Sequence, residues 1–331
     1  MPAQSGFALD ELAALFEATL IGNGAWRVLR VGDVTAPLAG DLVFVETLGQ
    51  FQFCIRTGAA MLTAPSLAEA LGRDLCVNGL KCPEPRLHFL VAQRLLVAHA
   101  DLAEDCGAGA WVAGTAQVHA SARLAPGCVV QAGACIEAHA ALYPGVVVEA
   151  GATVGAGSIV HSRAVIGRDA VIGPLCEIGN GSVIGADPQQ FVAANGVWTR
   201  KPDRQRVRLG RRVAVGANSV IESGARRETV VESDVLIGGQ VYVAHDCLIE
   251  RGVLIIGQSG LASGVTVANG AALMGRVAVD VDVHIGCGAL VLATSGVTKD
   301  VAAGTRVWGN PARPRNDALR RVHRDSVGRK G

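Results

Sequence analysis

The chain has 331 residues, of which 50% are hydrophobic, 4% aromatic and 18% charged. Its formal net charge of +1 gives no general attraction to nucleic acid or to a membrane surface, so neither is an expected partner. No run approaches the roughly 18 uncharged apolar residues that cross a bilayer. The N-terminus also lacks a basic flank followed by an apolar run. We therefore expect a cytoplasmic protein without a membrane span.

Residues 1–102 are predicted to form a small α/β domain. An amphipathic helix is predicted over residues 9–18, with acidic residues in its first turn. The residues on its apolar side are Leu9, Leu12, Leu15 and Phe16. Runs typical of strands lie at residues 28–31, 42–45 and 60–62. A second helix is predicted to begin after Pro85. The residues of its apolar stripe are Leu87, Leu90, Val91 and Leu95.

Residues 112–301 carry an aliphatic side chain at every sixth position. The series is unbroken from Val112 to Ile184 and, after a gap, holds to Val297 with one loss of phase at residues 226–229. The position four residues after an aliphatic one is usually Ala, Ser or Cys. A six-residue period fits neither an α-helix nor an alternating strand, so these residues form a repeat of another kind.

The repeat is typical of a parallel β-helix, in which three hexads form one triangular coil. The aliphatic side chains stack inward, and turns that contain glycine make the corners. We therefore predict a mainly β protein. Its main part is a left-handed parallel β-helix of hexapeptide repeats over residues 103–304, followed by a short basic C-terminal tail over residues 305–331.

Residues 185–208 interrupt the repeat. An insertion in a regular solenoid leaves the stack as a loop, and such loops often carry function while the coils carry stability. Among the large aromatic and cationic side chains of the loop are Phe191, Trp198, Arg200, Lys201, Arg204 and Arg206. We predict that it forms a wall for an anionic or acyl substrate. The alternative is a solvated loop without a function.

The nine cysteines form no Cys-x-x-Cys pair. Cys128, Cys176 and Cys247 fall on the small-residue position of the repeat, so they are predicted to be reduced structural thiols. Two histidines five positions apart, the spacing of the zinc site in β-helix carbonic anhydrases, do not occur. We therefore predict no metal site.

His245 differs from the other histidines in its sequence context. It lies in Val-Tyr-Val-Ala-His-Asp-Cys, with Asp246 next to it, two positions after an inward aliphatic residue. We expect its imidazole to project from the coil, where a neighbouring subunit can form the other wall of a cleft. A near-neutral imidazole can take a proton from an attacking amine or hydroxyl, so His245 is the candidate general base.

The sequence resembles the hexapeptide-repeat acyltransferases of lipid A synthesis, and most of all the UDP-3-O-acylglucosamine N-acyltransferase family. The shared elements are the N-terminal domain with residues 40–45, the repeat, the insertion, residues 221–226 and residues 243–246. The resemblance implies an N-acyltransferase that forms homotrimers with active sites between subunits. It implies transfer of a hydroxyacyl chain from acyl carrier protein to the amino group of a UDP-linked amino sugar. No cofactor is bound in the family, because the acyl donor is carried on phosphopantetheine.

The resemblance also implies roles for single residues. His245 matches the family's general base, and Phe44 matches an aromatic residue that stacks on uracil. Asp246, beside His245, is a predicted supporting residue. Ser263 and Gly264 lie near the oxyanion position of the family. Asp282 falls at the place of a second family histidine, and His284 is close to it. The predicted substrate-binding residues are Phe44, Phe51, Gln240, Tyr242, Trp198, Arg200 and Lys201.

The sequence departs from the family in the segment that grips the nucleotide. The family's Asn-Pro-Lys-Tyr is here replaced by residues 46–51, where Phe51 or Phe53 can take the place of the tyrosine. Residues 184–189 and the short tail resemble the sister O-acyltransferase instead, so we interpret the chain as a divergent paralogue. Two alternatives remain open: a sugar N- or O-acyltransferase that uses acyl or acetyl coenzyme A, and a non-catalytic β-helix binding protein.

Overall fold

The chain divides into two units, residues 1–106 and residues 107–331. The computed structural model describes residues 6–70, 77–102, 109–202 and 204–317, together with residue 320. The division lies close to the boundary at residue 102 that the sequence predicts.

The first unit contains a five-stranded sheet and four helices among its described residues. The strands, in their order across the sheet, are Thr19–Ile21, Gly79–Lys81, Ala60–Thr63, Asp41–Val45 and Arg30–Val31. The first pair is antiparallel and the other pairs are parallel. A separate two-stranded ribbon joins Phe7–Ala8 to Arg27–Val28. The helices are α1 (Leu9–Phe16), α2 (Leu48–Thr57), α3 (Pro65–Ala70) and α4 (Pro85–Asp101).

Helix α1 buries the four residues that its amphipathic pattern predicts. Helix α4 begins where the sequence predicts, but its apolar stripe was predicted wrongly because Leu90 is exposed. The buried face keeps the helical period but is displaced by about one residue from the predicted stripe. Its residues are His88, Val91, Ala92, Leu95, Leu96, Ala98 and His99. Two histidines thus occupy positions that a count of aliphatic residues alone does not find.

The second unit is the predicted left-handed parallel β-helix. Val130 pairs with Val148, and Val148 pairs with Ile166, so each coil returns after 18 residues, or three hexads. The coil has three faces, each a parallel sheet of short strands. The strands of face 1 are Trp111–Val112, Val129–Val130, Val147–Val148, Val165–Ile166, Val183–Ala186, Val220–Glu222, Tyr242–Val243, Gly260–Leu261, Ala278–Val279 and Gly296–Val297.

The other two faces follow in chain order within each coil. The strands of face 2 are Gln117–Val118, Cys135–Ile136, Thr153–Val154, Val171–Ile172, Val207–Leu209, Thr229–Val231, Leu248–Ile249, Thr266–Val267 and His284–Ile285. The strands of face 3 are Arg123–Leu124, Ala141–Leu142, Ile159–Val160, Glu177–Ile178, Ala214–Val215, Leu236–Ile237, Leu254–Ile255, Ala272–Leu273, Leu290–Val291 and Arg306–Trp308. The second residue of most strands points inward, so one continuous aliphatic column forms the core.

The small-residue position of the repeat is also buried. Cys128, Cys176 and Cys247 occupy it and are almost completely removed from solvent. Burial raises the pKa of the Cys176 and Cys247 thiols to about 12, so both stay protonated at neutral pH. None of the cysteines that the structure describes forms a disulfide, and five of those seven are buried, where they fill space in the core.

Glycine lets neighbouring coils approach closely at Gly155. A Cβ atom added there would lie 2.6 Å from the carbonyl carbon of Gly173 and 2.7 Å from the nitrogen of Pro174. We expect Gly155→Ala to lower the free energy of unfolding by about 1–3 kcal/mol, because main-chain atoms of two coils must separate. Gly260→Ala is the matched control, since a Cβ at Gly260 meets nothing within 4 Å. Equal urea midpoints for the two variants would contradict this expectation.

The parallel pattern ends at strand Arg306–Trp308. Its neighbour Arg313–Pro314 pairs with it in the antiparallel sense, after a turn that contains the cis bond between Asn310 and Pro311. The coil is thus followed by a short return strand on the edge of face 3. The last part of the predicted basic tail, residues 321–331, lies outside the described residues. None of the helices that the structure describes is both long and apolar enough to span a bilayer.

Candidate active site

His245 lies at the corner of the coil between face 1 and face 2, directly after strand Tyr242–Val243. Its backbone N–H donates to the Glu222 carboxylate at 2.8 Å, and its Nδ1 lies 3.1 Å from Oδ2 of Asp246. The residue is only 9% exposed, so the expectation of a projecting imidazole was wrong. Two buried carboxylates draw the side chain and main chain of His245 inward.

The corner also gathers most of the predicted supporting residues. Ser263 and Gly264 lie one coil beyond His245, and Asp282 lies one coil further, because the ladder advances by 18 residues from each coil to the next. Asp246, Gly264 and Asp282 all adopt the left-handed conformation, with φ values of 63°, 76° and 57°. These corner positions are thus occupied by residue types that tolerate a left-handed turn.

Asp246 is 1% exposed and accepts hydrogen bonds from a turn of the preceding coil. Its Oδ1 accepts the backbone N–H groups of Ala225, Arg226 and Arg227 at 2.9, 2.9 and 3.1 Å. Burial alone would raise the pKa of Asp246, but these three donors and His245 outweigh it and hold that pKa well below its usual value. Asp246 is therefore a fixed anion beside the imidazole.

The turn that holds Asp246 exists because the coil has four extra residues. Val215 pairs with Ile237, 22 residues on, whereas an ordinary coil returns after 18. The extra length lies at residues 223–228, between strands Val220–Glu222 and Thr229–Val231. The loss of phase at residues 226–229 in the sequence is the trace of this anion-binding turn.

Glu222 is a second buried carboxylate at this corner, and sequence reasoning did not identify it as a site residue. It is 1% exposed. Its Oε1 accepts the Tyr242 hydroxyl and, at 3.1 Å, the backbone N–H of Gln189, while its Oε2 accepts the backbone N–H of His245. Burial and then the Glu222 carboxylate raise the pKa of Tyr242 far above its usual range. The Tyr242 hydroxyl therefore stays protonated and acts as a donor.

Ser263 and Gly264, which flank the predicted oxyanion position, differ in their main-chain hydrogen bonds. The Gly264 N–H donates to the carbonyl oxygen of His245 at 3.0 Å and is therefore occupied. The Ser263 N–H has no acceptor within the part of the chain that the structure describes. A Cβ on Gly264 would lie 2.0 Å from Oδ1 of Asp282, so the Asp282 carboxylate covers that glycine. His284 is exposed on face 2, and its N–H donates to Asp300 at 2.8 Å.

The inserted segment forms a hairpin whose strands are Phe191–Ala194 and Val197–Arg200. The hairpin is exposed on both sides, and Trp198 is 72% exposed. At its base Arg200 and Arg204 pair with Asp187 at 3.4 and 2.8 Å. A cavity of about 220 Å³ lies there, and its lining residues are Asp187, Pro188, Arg200, Lys201, Pro202 and Arg204. The predicted loop is thus a ribbon with a basic cavity at its base.

Comparison with known proteins supports the resemblance over a short segment. A UDP-3-O-acylglucosamine N-acyltransferase of Shewanella oneidensis is 41% identical over 56 residues, which make up 17% of this chain and 16% of that protein. The protein of the same name from Herminiimonas arsenicoxydans is 36% identical over 62 residues, or 19% of this chain and 18% of that protein.

The chain is similar to the UDP-3-O-acylglucosamine N-acyltransferases. This confirms the family resemblance predicted from the sequence. The chain nevertheless spans less than a fifth of the length of the curated relatives that it matches. No protein-family model matches it.

Solved structures confirm the fold. The Arabidopsis UDP-N-acetylglucosamine acyltransferase has a TM-score of 0.58 at 23% identity, over 66% of this chain and 76% of that chain. The UDP-N-acetylglucosamine O-acyltransferase of Moraxella catarrhalis has a TM-score of 0.51 at 22% identity, over 65% of this chain and 76% of that chain. At such identities the likeness concerns the β-helix and not its chemistry.

The residues that the resemblance predicts to contact uridine lie in the first unit. Phe44 is half-buried, with its ring centroid 6.2 Å from that of Phe89. Phe51 is 9% exposed and belongs to the core, so its ring has little surface left for a base. Phe53, the other predicted replacement, is exposed. Residues 46–51 form the capped start of helix α2, where Thr47 and Gln50 bond each other reciprocally.

Gln240 lies at a different corner from His245. It precedes strand Tyr242–Val243, where the coil passes from face 3 to face 1. Its side-chain oxygen accepts from Gln258 at 3.0 Å, and Gln258 in turn accepts from Arg276 at 2.6 Å. Gln240 is thus part of a polar ladder that runs along this edge. No cluster of three or more metal-binding side chains occurs among the described residues.

Proposed function

We propose that the protein is an N-acyltransferase that moves a hydroxyacyl or acyl chain from acyl carrier protein to the amino group of a UDP-linked amino sugar. His245 is the general base. The observation that carries this proposal is the fixed pairing of the His245 imidazole with the buried Asp246 carboxylate. The similarity to acyltransferases supports the class of reaction.

The pairing sets the tautomer of the imidazole. A carboxylate only accepts hydrogen bonds, so Nδ1 carries the proton that faces Asp246. Nε2 then carries the lone pair, and it has no hydrogen-bond partner within the described ranges. A basic nitrogen held by an anion on its far side is the arrangement that general-base catalysis needs.

The proposed reaction proceeds in two steps. The neutral sugar amine attacks the thioester carbonyl, a carbon–nitrogen bond forms, and Nε2 of His245 takes the amine proton. The tetrahedral intermediate then collapses, the carbon–sulfur bond breaks, and the phosphopantetheine sulfur leaves with the proton that His245 returns. Asp246 stabilises the transient imidazolium.

We assign the oxyanion donor to the Ser263 N–H instead of the Gly264 N–H, because the latter is already bonded to His245. Removal of one side-chain donor aimed at a developing oxyanion costs about 3–4 kcal/mol in an acyl-transfer enzyme, which sets the scale expected for such a donor. Asp282 and His284 remain proposed supporting residues near this corner.

We assign the substrate contacts to three places. Arg200 and Lys201 at the base of the hairpin provide positive charge for the anionic parts of the substrates, and Trp198 provides apolar surface for the acyl chain. Tyr242 lies on face 1 next to the corner of His245, and Gln240 lies at the opposite edge of that face. In the first unit, the uridine contacts are Phe44 and the exposed Phe53.

The proposed enzyme is a cytoplasmic homotrimer that takes its acyl group from phosphopantetheine and needs no bound cofactor or metal. Face 3 presents the side chains of Leu236, Leu254 and Leu290 outward, an apolar strip suited to contact between copies. An acyl coenzyme A donor carries the same phosphopantetheine and is the second candidate.

The proposal is tested by mass-spectrometric detection of acyl transfer from a panel of acyl carrier proteins and acyl coenzymes A to UDP-linked amino sugars. A product formed from acyl carrier protein and unaffected by coenzyme A supports the leading proposal. A product formed only from coenzyme A supports the second candidate. If no donor gives a product, the non-catalytic binding protein is the better description.

A further inference from the structure

Glu222 belongs to a recurrent contact of the coils. A carboxylate directly after an inward aliphatic residue accepts a backbone N–H from the next coil at four other places in the described chain. These pairs are Glu137 with Ala156, Glu149 with Arg168, Glu232 with Arg251 and Glu250 with Asn269, at 2.8–3.0 Å. Each pair is 19 residues apart. The Glu222–His245 pair is the same contact, lengthened to 23 residues by the four-residue insertion.

Three features separate Glu222 from those other carboxylates. It is buried, whereas the other four are half-buried or exposed. The N–H that it accepts belongs to His245, the candidate base. Its second oxygen accepts both the Tyr242 hydroxyl and the backbone N–H of Gln189. The contact joins two coils elsewhere. Here it connects Glu222 to three residues, which are His245, Tyr242 and Gln189.

Gln189 connects Glu222 to the inserted segment. It directly follows Pro188, which lines the basic cavity at the base of the hairpin together with Arg200. The carboxylate thus connects the wall of that cavity to the main chain of His245. Because a buried charged acceptor makes strong and short hydrogen bonds, this connection resists displacement.

We propose that Glu222 is a positioning residue that fixes the main chain of His245 and locks the base of the inserted segment to it. This inference rests on the proposed function, since it assigns His245 as the base and the inserted segment as a substrate wall. Glu222 itself does not touch the reacting atoms. It sets the distance between the base and the substrate that the hairpin holds.

The Glu222→Gln substitution distinguishes the bond to the His245 N–H from the bond to the Gln189 N–H. Gln131 shows that a side-chain amide oxygen suffices for the contact between coils, because it accepts the Ala150 N–H at 3.1 Å. Glu222→Gln can therefore keep the bond to His245. Its amide nitrogen has no lone pair for the Gln189 N–H, so the inserted segment is released.

The experiment measures steady-state kinetics and amide hydrogen exchange for Glu222→Gln, Glu222→Ala and the control Glu250→Gln. We expect Glu222→Gln to raise the KM for the sugar nucleotide about 5- to 10-fold with kcat within about threefold of wild type. Glu222→Ala should also lower kcat about 10- to 100-fold. Glu250→Gln, which changes an ordinary contact, should leave both constants unchanged.

Hydrogen exchange tests whether Glu222 holds the inserted segment and His245, and it does not require catalytic activity. Peptides covering residues 185–190 should exchange faster in both Glu222 variants, and those covering residues 244–247 only in Glu222→Ala. Unchanged exchange of residues 185–190 in both variants would overturn the inference even if the wild type is active. If the wild type transfers no acyl group, the proposed function fails while the exchange data still decide whether the connection exists. Should Glu222→Ala not fold, Glu222→Gln decides alone.

Discussion

Replacing His245 by alanine should lower kcat by roughly 10² to 10⁴, the usual contribution of a general base. The variant loses the Nε2 lone pair that takes the amine proton, whereas the main-chain bond from residue 245 to Glu222 stays in place. Substrate binding should change little, so the KM values should stay within about threefold of wild type. The measurement is initial-rate kinetics with the donor and acceptor that the panel identifies.

Two further variants make this result interpretable. His119→Ala removes an exposed histidine from an early coil and should leave kcat unchanged. His245→Gln keeps a polar side chain of similar size and should lose nearly as much activity as His245→Ala, because an amide is not a base at neutral pH. An active His245→Ala enzyme with a normal melting temperature would refute the assigned role.

Asp246→Asn should reduce both activity and stability. The asparagine keeps an oxygen for the three backbone N–H groups of residues 225–227, but it is neutral and no longer holds Nδ1–H of His245 by charge. We expect kcat to fall about 10- to 10³-fold, since the imidazole loses its orienting anion. The free energy of unfolding at pH 7 should fall by about 2 kcal/mol, the scale of a buried hydrogen bond to a charged group.

The stability difference should depend on pH in a definite direction. Because the folded-state pKa of Asp246 is depressed, its contribution is fully present above the pKa of the unfolded chain and is lost as the pH falls below it. The gap between wild type and Asp246→Asn should thus be constant from about pH 6 to 7 and shrink below about pH 4. Asp169→Asn is the control, because Asp169 occupies the same corner in another coil but is exposed. A gap that widens on acidification would contradict this account.

The sequence predicted the β-helix because its core depends on a strict local rule. Each inward aliphatic residue stacks on one in the adjacent coil, so the period of six residues appears directly in the chain. Helix α4 was harder, because Leu90 and Val91 are both apolar and only packing decides which of them is buried. Phe51 was assigned to substrate for a similar reason, since an aromatic residue can serve equally well in a core.

The site was predictable only where its residues resemble those of the family. His245 and Asp246 stand in a distinctive sequence, whereas Glu222 becomes recognisable only when the four extra residues are counted into the register. Its partner then falls 23 residues away instead of 19, and Gln189 reaches it from another coil. Such long-range contacts leave no local pattern in a single sequence.

The inserted hairpin begins and ends at one corner of a single coil, between face 1 and face 2, and the parallel ladder resumes behind it. Ile172 pairs with Leu209 across 37 residues, one ordinary coil plus 19 inserted ones, yet both side chains lie in the same aliphatic column as their neighbours. Recognition and folding are thereby uncoupled: a corner can lengthen, shorten or be exchanged between relatives while the column keeps its stacking. A solenoid of this kind can diverge in specificity through its corners alone, and a graft between residues 186 and 207 offers the corresponding route for engineering.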